Sequence, residues 1–460
     1  MRHGELNILY TTHQFLPDYA AGTEILTYGT AKEMSRRGHA VSIFTGYPAK
    51  GAVEAARAFD RYEYDGIAVE RFFHAKRSPI RPANPMEAEY NNRFYADFFR
   101  RRVQELKPDL VHCYHLQRLS ASVIDVCREM KIPALFTATD FWLVCPTNQL
   151  FLPDHSACSG PDPGMVNCVR HLAGIYQGEA ARSMLEQVPD RVLAALIRWI
   201  AGPAFRYEKR FSPLVRALAA RPAYLEERMN RLCAVLVPTR FMAEVLHRCG
   251  LEAGRIRHLP FGIDGSLVTP VSTKGTGNHL RVGFIGTLYP YKGAHVLLEA
   301  VRQLPGEMPL QVRIYGDLDQ FPDYVKRLRS LAGNDRRVAF CGTFAQESIG
   351  AVLRDLDVLV IPSLWYENSP LTLGFAQAAR VPVIATNVAG LNETITDGEN
   401  GFLFEKGDGK GLANILQRLC NDRPTVGRLS DRARPPRSLP SYVDELERIY
   451  DDVRNCRMPA

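Results

Sequence analysis

The groups best suited to chemistry are concentrated in residues 358–373. A β-branched run, Val358-Leu-Val-Ile361, gives way to Pro362-Ser-Leu-Trp-Tyr-Glu-Asn-Ser-Pro-Leu-Thr-Leu373. Ser369 is a good N-cap and Pro370 a good first helical residue, so a helix is predicted to start there. The free amides of Leu371 and Thr372 would then point back toward the strand end, where partial positive charge favours phosphate oxygens. Glu367, just before them, can accept hydrogen bonds from sugar hydroxyls, although a lone carboxylate beside a helix start is more often a surface cap. A second loop, Gly286-Thr-Leu-Tyr-Pro-Tyr-Lys-Gly293, follows the run Arg281-Val-Gly-Phe-Ile285. Gly286 lets backbone approach a ligand closely, and Lys292 can neutralise a diphosphate as a compact charge. A third, Thr386-Asn-Val-Ala-Gly-Leu-Asn-Glu393, sets Gly390 at another predicted helix start. Together the three loops point to a nucleotide-diphosphate site.

Such loops need parallel strands to carry them, and the chain supplies the pattern. Short apolar runs alternate with segments of helical period, the signature of βα units. Strands are predicted at 7–11, 40–45, 67–71, 109–113, 134–138, 234–237 and 256–259, then at 281–285, 311–315, 337–341, 358–361 and 382–385. The stretch 265–278 is poor in apolar residues and rich in Gly, Ser and Thr, and reads as a linker. The predicted fold is α/β, with two Rossmann-like doubly wound domains facing a central cleft. The first covers 1–265 with a helical insertion at about 160–230, the linker is 266–278, and the second domain covers 279–438. A last helical segment, 439–460, is placed to cross back to the first domain.

At 460 residues the chain is too long for one ordinary core, and 46% apolar with 23% charged residues excludes wholesale disorder. No apolar run reaches the roughly 18 residues that span a bilayer; 134–153 is interrupted by Asp140, Pro146 and Asn148. The N-terminal region reads as a first strand without a signal sequence, so the expected location is cytoplasmic. The 57 Lys and Arg exceed the 50 Asp and Glu, and the excess is local: 71–102 hold eight against three, and 170–231 eleven against six. The second stretch includes Val192-Leu-Ala-Ala-Leu-Ile-Arg-Trp-Ile200. A basic helix with an aromatic border can rest on an anionic membrane surface at the inner face, and a solvated helical insertion is the plainer reading. Without an aromatic-basic recognition motif, nucleic acid is not an expected partner.

The C-terminal half resembles family 4 glycosyltransferases of the GT-B fold. The resemblance is carried by Gly286-x5-Lys292-Gly293, Pro362-Ser363 leading to Glu367, Pro382-Val-Ile-Ala-Thr386, Gly390-x2-Glu393 and Asp397-Gly-Glu-Asn-Gly401. The first half is similar through Phe15-Leu-Pro17, Gly22-Thr-Glu24, Arg37-Gly-His39-Ala-Val41, Pro108-Asp-Leu-Val-His112 and Pro260-Phe-Gly-Ile-Asp264. This implies a retaining transferase that moves sugar from a nucleotide-sugar donor to a glycan or lipid-linked acceptor, as in cell-surface polysaccharide or glycolipid assembly, with no cofactor required. By the same resemblance Lys292 holds the diphosphate and Glu367 binds the donor sugar near the reacting carbon. Gly286, Thr287 and the loop Asn368, Ser369, Pro370, Leu371 and Thr372 line the donor, and Gly22 closes over the diphosphate from the first domain.

Three positions depart from the family pattern. Its Glu-x7-Glu signature places a ribose-binding carboxylate where this chain has Phe375. Thr287 stands where many relatives have Arg. His112-Cys-Tyr-His115 and Thr139-Asp140 replace His-x-His and His-Asp, leaving His115 as a catalytic candidate that can reach the donor sugar. The departures keep two alternatives open: a degenerate GT-B binding partner of a glycan assembly system, and a nucleotide-sugar epimerase of similar fold. Separately, Cys145, Cys158, Cys168 and His171 fall within 27 positions and end in the Cys-x2-His spacing of a zinc half-site. They suit either a structural zinc or reduced thiols buried as small hydrophobes.

Overall fold

The computed structural model describes residues 4–49, 54, 57–74, 84–154, 156–203, 205, 211–270, 274–275, 277–454 and 458. Its first half runs β1 (Asn7–Thr12), α1 (Gly22–Arg36), β2 (Ala40–Pro48), β3 (Phe59–Tyr64), β4 (Ile67–His74), α2 (Pro85–Ala88), α3 (Arg93–Leu106), β5 (Leu110–Cys113), α4 (Ser122–Glu129) and β6 (Ala134–Thr137). Four helices follow, α5 (Val166–Gln177), α6 (Glu179–Glu186), α7 (Asp190–Ala201) and α8 (Ser212–Met229), then β7 (Ala234–Val237), α9 (Arg240–Arg248) and β8 (Ile256–His258). The eight strands form one sheet in the order β3-β4-β2-β1-β5-β6-β7-β8, parallel except for the β3–β4 pair.

The second half runs β9 (Leu280–Ile285), α10 (Ala294–Arg302), β10 (Leu310–Tyr315), α11 (Pro322–Ala332), β11 (Val338–Gly342), α12 (Ile349–Arg354), β12 (Val358–Ile361), α13 (Leu371–Ala378), β13 (Val383–Thr386), β14 (Gly401–Phe404), α14 (Gly409–Asn421), α15 (Pro424–Asp431) and α16 (Leu439–Arg454). Its six strands are all parallel, in the order β11-β10-β9-β12-β13-β14. Both sheets are covered on both faces, which is why their strands read as continuous apolar runs. In β1, Ile8 and Tyr10 join one core while Leu9 joins the other. In β12, Val358 and Val360 face one layer while Leu359 and Ile361 face the opposite one.

Two strands escape the βα pattern. β3 alternates polar and apolar side chains because it is a half-exposed edge, joined to β4 through Asp65 and Gly66 at φ 50° and 77°. Positive φ at both central residues is the two-residue hairpin turn that Asp-Gly favours. β14 is a four-residue edge strand behind a series of turns. In the stretch read as linker, the Lys274 ammonium donates to the carbonyls of Leu353 and Arg354, which holds that residue against the second half.

The chain crosses between the halves twice, and the crossings touch. Ile263 donates to the Arg437 carbonyl at 2.9 Å and Leu439 to the Ile263 carbonyl at 2.9 Å, forming a short parallel bridge. A Cβ at Gly262 would lie 2.5 Å from Tyr442 Cβ, so only glycine allows this approach. After the second crossing α16 returns to the first sheet, where Tyr442, Val443, Leu446 and Tyr450 are buried with Ile8 and Tyr10. Its polar side holds as well: Glu447 accepts from Arg37, and pairs with His39 at 3.0 Å.

Tyr450 Oη lies 2.6 Å from His112 Nδ1 and 3.2 Å from Tyr10 Oη, all fully buried. Tyr450→Phe leaves two buried polar groups without this partner and should cost about 1–3 kcal/mol in chemical denaturation. Asp357 opens β12 and is fully buried, accepting from the Arg281 amide and from the Arg281 and Arg423 guanidinium groups. Burial pushes its carboxyl up, but these donors outweigh burial and hold it at about 2, below its ordinary 3.8. The folded value is depressed, so the stabilisation is complete above the ordinary value and lost as pH falls through the folded one. Asp357→Asn should therefore remove about 2 kcal/mol at neutral pH and weaken the acid dependence of the denaturation midpoint in that window.

Candidate active site

The site is built on the carboxyl edge of the second sheet, where loops lead from strand ends into helix N-termini. The loop after β12 carries Glu367, whose carboxylate is only 3% exposed. Lys292, in the loop after β9, donates to both its oxygens at 2.8 and 3.1 Å. Ser363 Oγ at 2.5 Å and Trp365 Nε1 at 3.0 Å donate to Oε1. The expected separate roles of Lys292 on diphosphate and Glu367 on sugar thus start from a direct ion pair. Ser363 and Trp365 are the residues that sequence reasoning missed; an indole and a hydroxyl flanking a carboxylate within one loop were the available signal. Trp365 also lies beneath the Lys292 ammonium, 4.9 Å from ring centroid to nitrogen, and against Tyr291 at 4.5 Å.

Two glycines lock the loops together. Gly293, at φ 75°, packs so tightly on Pro362 that a Cβ would fall 1.8 Å from its carbonyl oxygen. Gly390, at φ 90°, lies under Glu367, where a Cβ would fall 1.6 Å from the Glu367 carbonyl. Gly390 therefore does not start a helix, contrary to expectation; it sits in a series of turns and makes room for the Glu367 backbone, whose amide donates to Ala389. The helix start is also corrected by one residue. Ser369 has φ 56°, Pro370 is the N-cap, and α13 begins at Leu371. A residue committed to a left-handed turn cannot serve as the extended N-cap. The Leu371 and Thr372 amides remain among the first, intrahelically unpaired donors. Asn368 Oδ1, beside them, is buried without a hydrogen-bond partner. Gly286 ends β9, its amide bonded to the Tyr315 carbonyl, and Thr287 turns the chain toward Lys292. Phe375 is buried in the apolar layer of α12 and α13 with Leu353 and Ile263, and its side chain is part of the core.

The first domain presents its own carboxyl edge. Gly22 is the first residue of α1 and is exposed. His115 lies two residues beyond β5 and is buried. Its Nδ1 accepts from the Gln117 amide, which leaves Nε2 to donate to Asp140 at 2.9 Å. Beside it, His13 packs ring on ring at 4.3 Å and approaches Glu24 at 3.6 Å. Glu24 is fully buried, with no close hydrogen bond among the described residues, and burial pushes its carboxyl up while Gln14 and backbone amides nearby offset part of the rise.

The two edges meet. Phe241, at the start of α9, stacks on Tyr366 at 4.4 Å, and Phe151 approaches Tyr291 at 6.4 Å. Glu393 accepts from the amides of Arg240 and Phe241 at 2.8 and 3.0 Å, capping α9 across the interface. Leu371 packs against the α16 side of the first core.

Cys145, Cys158, Cys168 and His171 line one cavity next to this edge. Among the described residues no group of three or more His, Cys, Asp or Glu is gathered closely enough to hold a metal ion as the side chains stand. Burial pushes the Cys158 and Cys168 thiols up, which favours neutral sulfur over thiolate, and Cys145 Sγ lies 3.2 Å from Thr147 Oγ1.

Residues 279–422 match a family model described as "Glycosyl transferases group 1", and residues 20–156 match one described as "Glycosyltransferase Family 4". A D-inositol 3-phosphate glycosyltransferase of Corynebacterium efficiens is 31% identical over 208 residues, covering 42% of this chain and 49% of the relative. One of Arthrobacter sp. is 32% identical over 196 residues, 40% of this chain and 46% of the relative. The chain thus spans about half the length of the curated relatives it matches. Two solved structures share the fold across almost the whole chain. Anabaena HepE, in complex with UDP and glucose, has a TM-score of 0.65 at 18% identity, covering 97% of this chain and 100% of that one. Sucrose-phosphate synthase from Thermosynechococcus elongatus has a TM-score of 0.67 at 18% identity, covering 98% and 99%. The fold is therefore GT-B, two parallel-sheet α/β domains.

Gly390→Ala tests how the loops hold Glu367. The added methyl must displace the Glu367 carbonyl, at a cost of about 1–3 kcal/mol for the left-handed backbone alone. The expected result is a lower melting temperature together with altered tryptophan fluorescence, because Trp365 is hydrogen-bonded to the displaced carboxylate.

Proposed function

We propose that the chain is a glycosyltransferase that moves a sugar from a nucleotide diphosphate donor to an acceptor hydroxyl, with retention of configuration. The observation that carries this reading is the Lys292–Glu367 pair at the mouth of the second sheet, 2.8 Å apart and set among loops that end at helix N-termini. When the anomeric carbon–oxygen bond to the diphosphate breaks, negative charge builds on the departing phosphate. Lys292 and the amides of Leu371 and Thr372 are fixed donors for that charge and need little reorganisation. Glu367, with Ser363 and Trp365 holding its Oε1, accepts from hydroxyls of the donor sugar, while Gly286, Thr287, Asn368, Ser369 and Pro370 line the approach. Gly22 closes over the diphosphate from the first domain.

The acceptor, a glycan or lipid-linked hydroxyl compound of cell-surface assembly, would bind on the first domain's edge, near the His115–Asp140 pair. Bringing the two edges together orients donor and acceptor and excludes water. The family matches over both halves and the UDP and glucose in the HepE complex support a nucleotide-sugar donor. One observation favours a second reading, a non-catalytic binding partner: Phe375 is core where a ribose-binding carboxylate is expected.

Thermal-shift measurement with a panel of nucleoside diphosphates and their sugar conjugates separates the two. At least one donor should raise the melting temperature, and Lys292→Ala or Glu367→Ala should weaken its binding at least about tenfold, or 1.4 kcal/mol. Stabilisation by no member of the panel would favour the binding partner.

A further inference from the structure

We propose that the helical insertion of the first domain docks on an anionic lipid bilayer through one face of α7. The observation is independent of the transferase reading. Among the described residues, every large apolar side chain that is exposed lies between Ile175 and Phe211, within α5–α8 and their connections. A 460-residue chain carries scattered exposed apolar groups by default; confinement to one insertion is what marks a docking surface.

The geometry of α7 defines the face. At about 100° per residue, Val192, Ala195, Leu196 and Trp199 fall within an arc of about 100°, and all four are exposed, Trp199 at 58%. Leu193 and Ile197, turned away from that arc, are buried in the first core. The helix is thus apolar on two sides, and only one is covered. Its neighbour α6 buries no residue and exposes Met184 at 71%.

Charge selects the occupant. The acids of 166–205 are all engaged: Asp190 pairs with Arg170 at 2.8 Å, and Glu179 and Glu186 pair with Arg182. Arg191 and Arg198, one turn-pair apart along the border of the apolar arc, are exposed and make no ion pair among the described residues. Among the other described basic residues of this stretch, several are used internally, while 206–210 lie outside the described residues. Arg228 and Arg231 hold Asp125, and Arg221 is buried on backbone carbonyls of the loop after β6. In the other basic stretch, Arg71 pairs with Asp60, Arg100 with Glu129 and Arg102 with Glu70, while 75–83 lie outside the described residues. What the insertion offers is therefore an apolar stripe with a Trp near one end and two uncompensated arginines alongside. That combination fits the boundary between headgroups and acyl chains of a negatively charged leaflet. No helix among the described residues is long and apolar enough to cross a membrane, so contact through this face is peripheral.

The test is co-sedimentation of the full chain with vesicles of phosphatidylcholine alone and of phosphatidylcholine mixed with phosphatidylglycerol. Binding is expected to the mixed vesicles, to fall with added salt, and to be at least tenfold weaker to phosphatidylcholine. Leu196→Ser with Trp199→Ser should abolish it, while leaving the melting temperature unchanged because both side chains are exposed. Arg191→Ser with Arg198→Ser should lower the partition coefficient by roughly fivefold per arginine, that is, about 1 kcal/mol each. Equal binding to both vesicle types, or binding indifferent to the Leu196 and Trp199 substitutions, would overturn the proposal. So would a dimer in sedimentation velocity that the same double substitution dissociates without any vesicle binding, since the occupant would then be a second copy of the chain.

Discussion

A carboxylate removed from water must be given donors, and Glu367 imposes that requirement on most of the second domain. Its charge would be costly if unpaired. The donors come from two loops, Lys292 from behind β9 and Ser363 and Trp365 from its own. The loops in turn must approach one another closely enough for those bonds, which is why Gly293 and Gly390 each lie against a neighbouring carbonyl with no room for a methyl group. A third loop, after β13, is tied in through the Ala389 carbonyl. Strand order brings these loops together: β9, β12 and β13 are adjacent, so their carboxyl ends form one contiguous rim.

The first domain is organised around a different balance. Its titratable groups near the cleft are buried with fewer partners. His115 is fixed by a backbone amide and by Asp140, whereas Glu24 has no close hydrogen bond among the described residues and His13 lies 3.6 Å from its carboxylate. One rim centres on a closely paired carboxylate and ammonium, the other on buried groups with fewer partners. Contact between them runs through aromatic side chains and through Glu393 on the first turn of α9, where helix dipole and free amides both favour a carboxylate.

Much of this was legible from residue order. Short apolar runs marked twelve of the strands, and Glu367, Lys292 and the glycine loops stood out because three anion-friendly loops fell at the ends of strands predicted to share one sheet, although a carboxylate such as Glu367 taken alone is more often a surface cap. What was not legible depended on distant partners. The edge strand β3 is half exposed and lacks an apolar run, although its Asp65-Gly66 turn was a usable signal. Ser369 has the composition of an N-cap, but the left-handed backbone there is set by packing of the Glu367 loop. Gly390 read as a helix start because its partner, the Glu367 carbonyl, is separated from it in sequence by α13 and β13. Cys145, Cys158, Cys168 and His171, close in sequence, line one cavity.

The return of α16 to the first sheet has a consequence for how the molecule is made. Domains emerging from a ribosome generally fold in chain order, each burying its core before the next is complete. Here Ile8, Tyr10, Leu135 and Leu236 share their layer with Leu446 and Tyr450. Everything from 279 to 431 is translated between them, and that segment includes all six strands of the second sheet. The half made first is therefore the half finished last. During synthesis the second domain can close while one apolar face of the first still waits for its final helix, and that waiting face is where a chaperone would have most to cover.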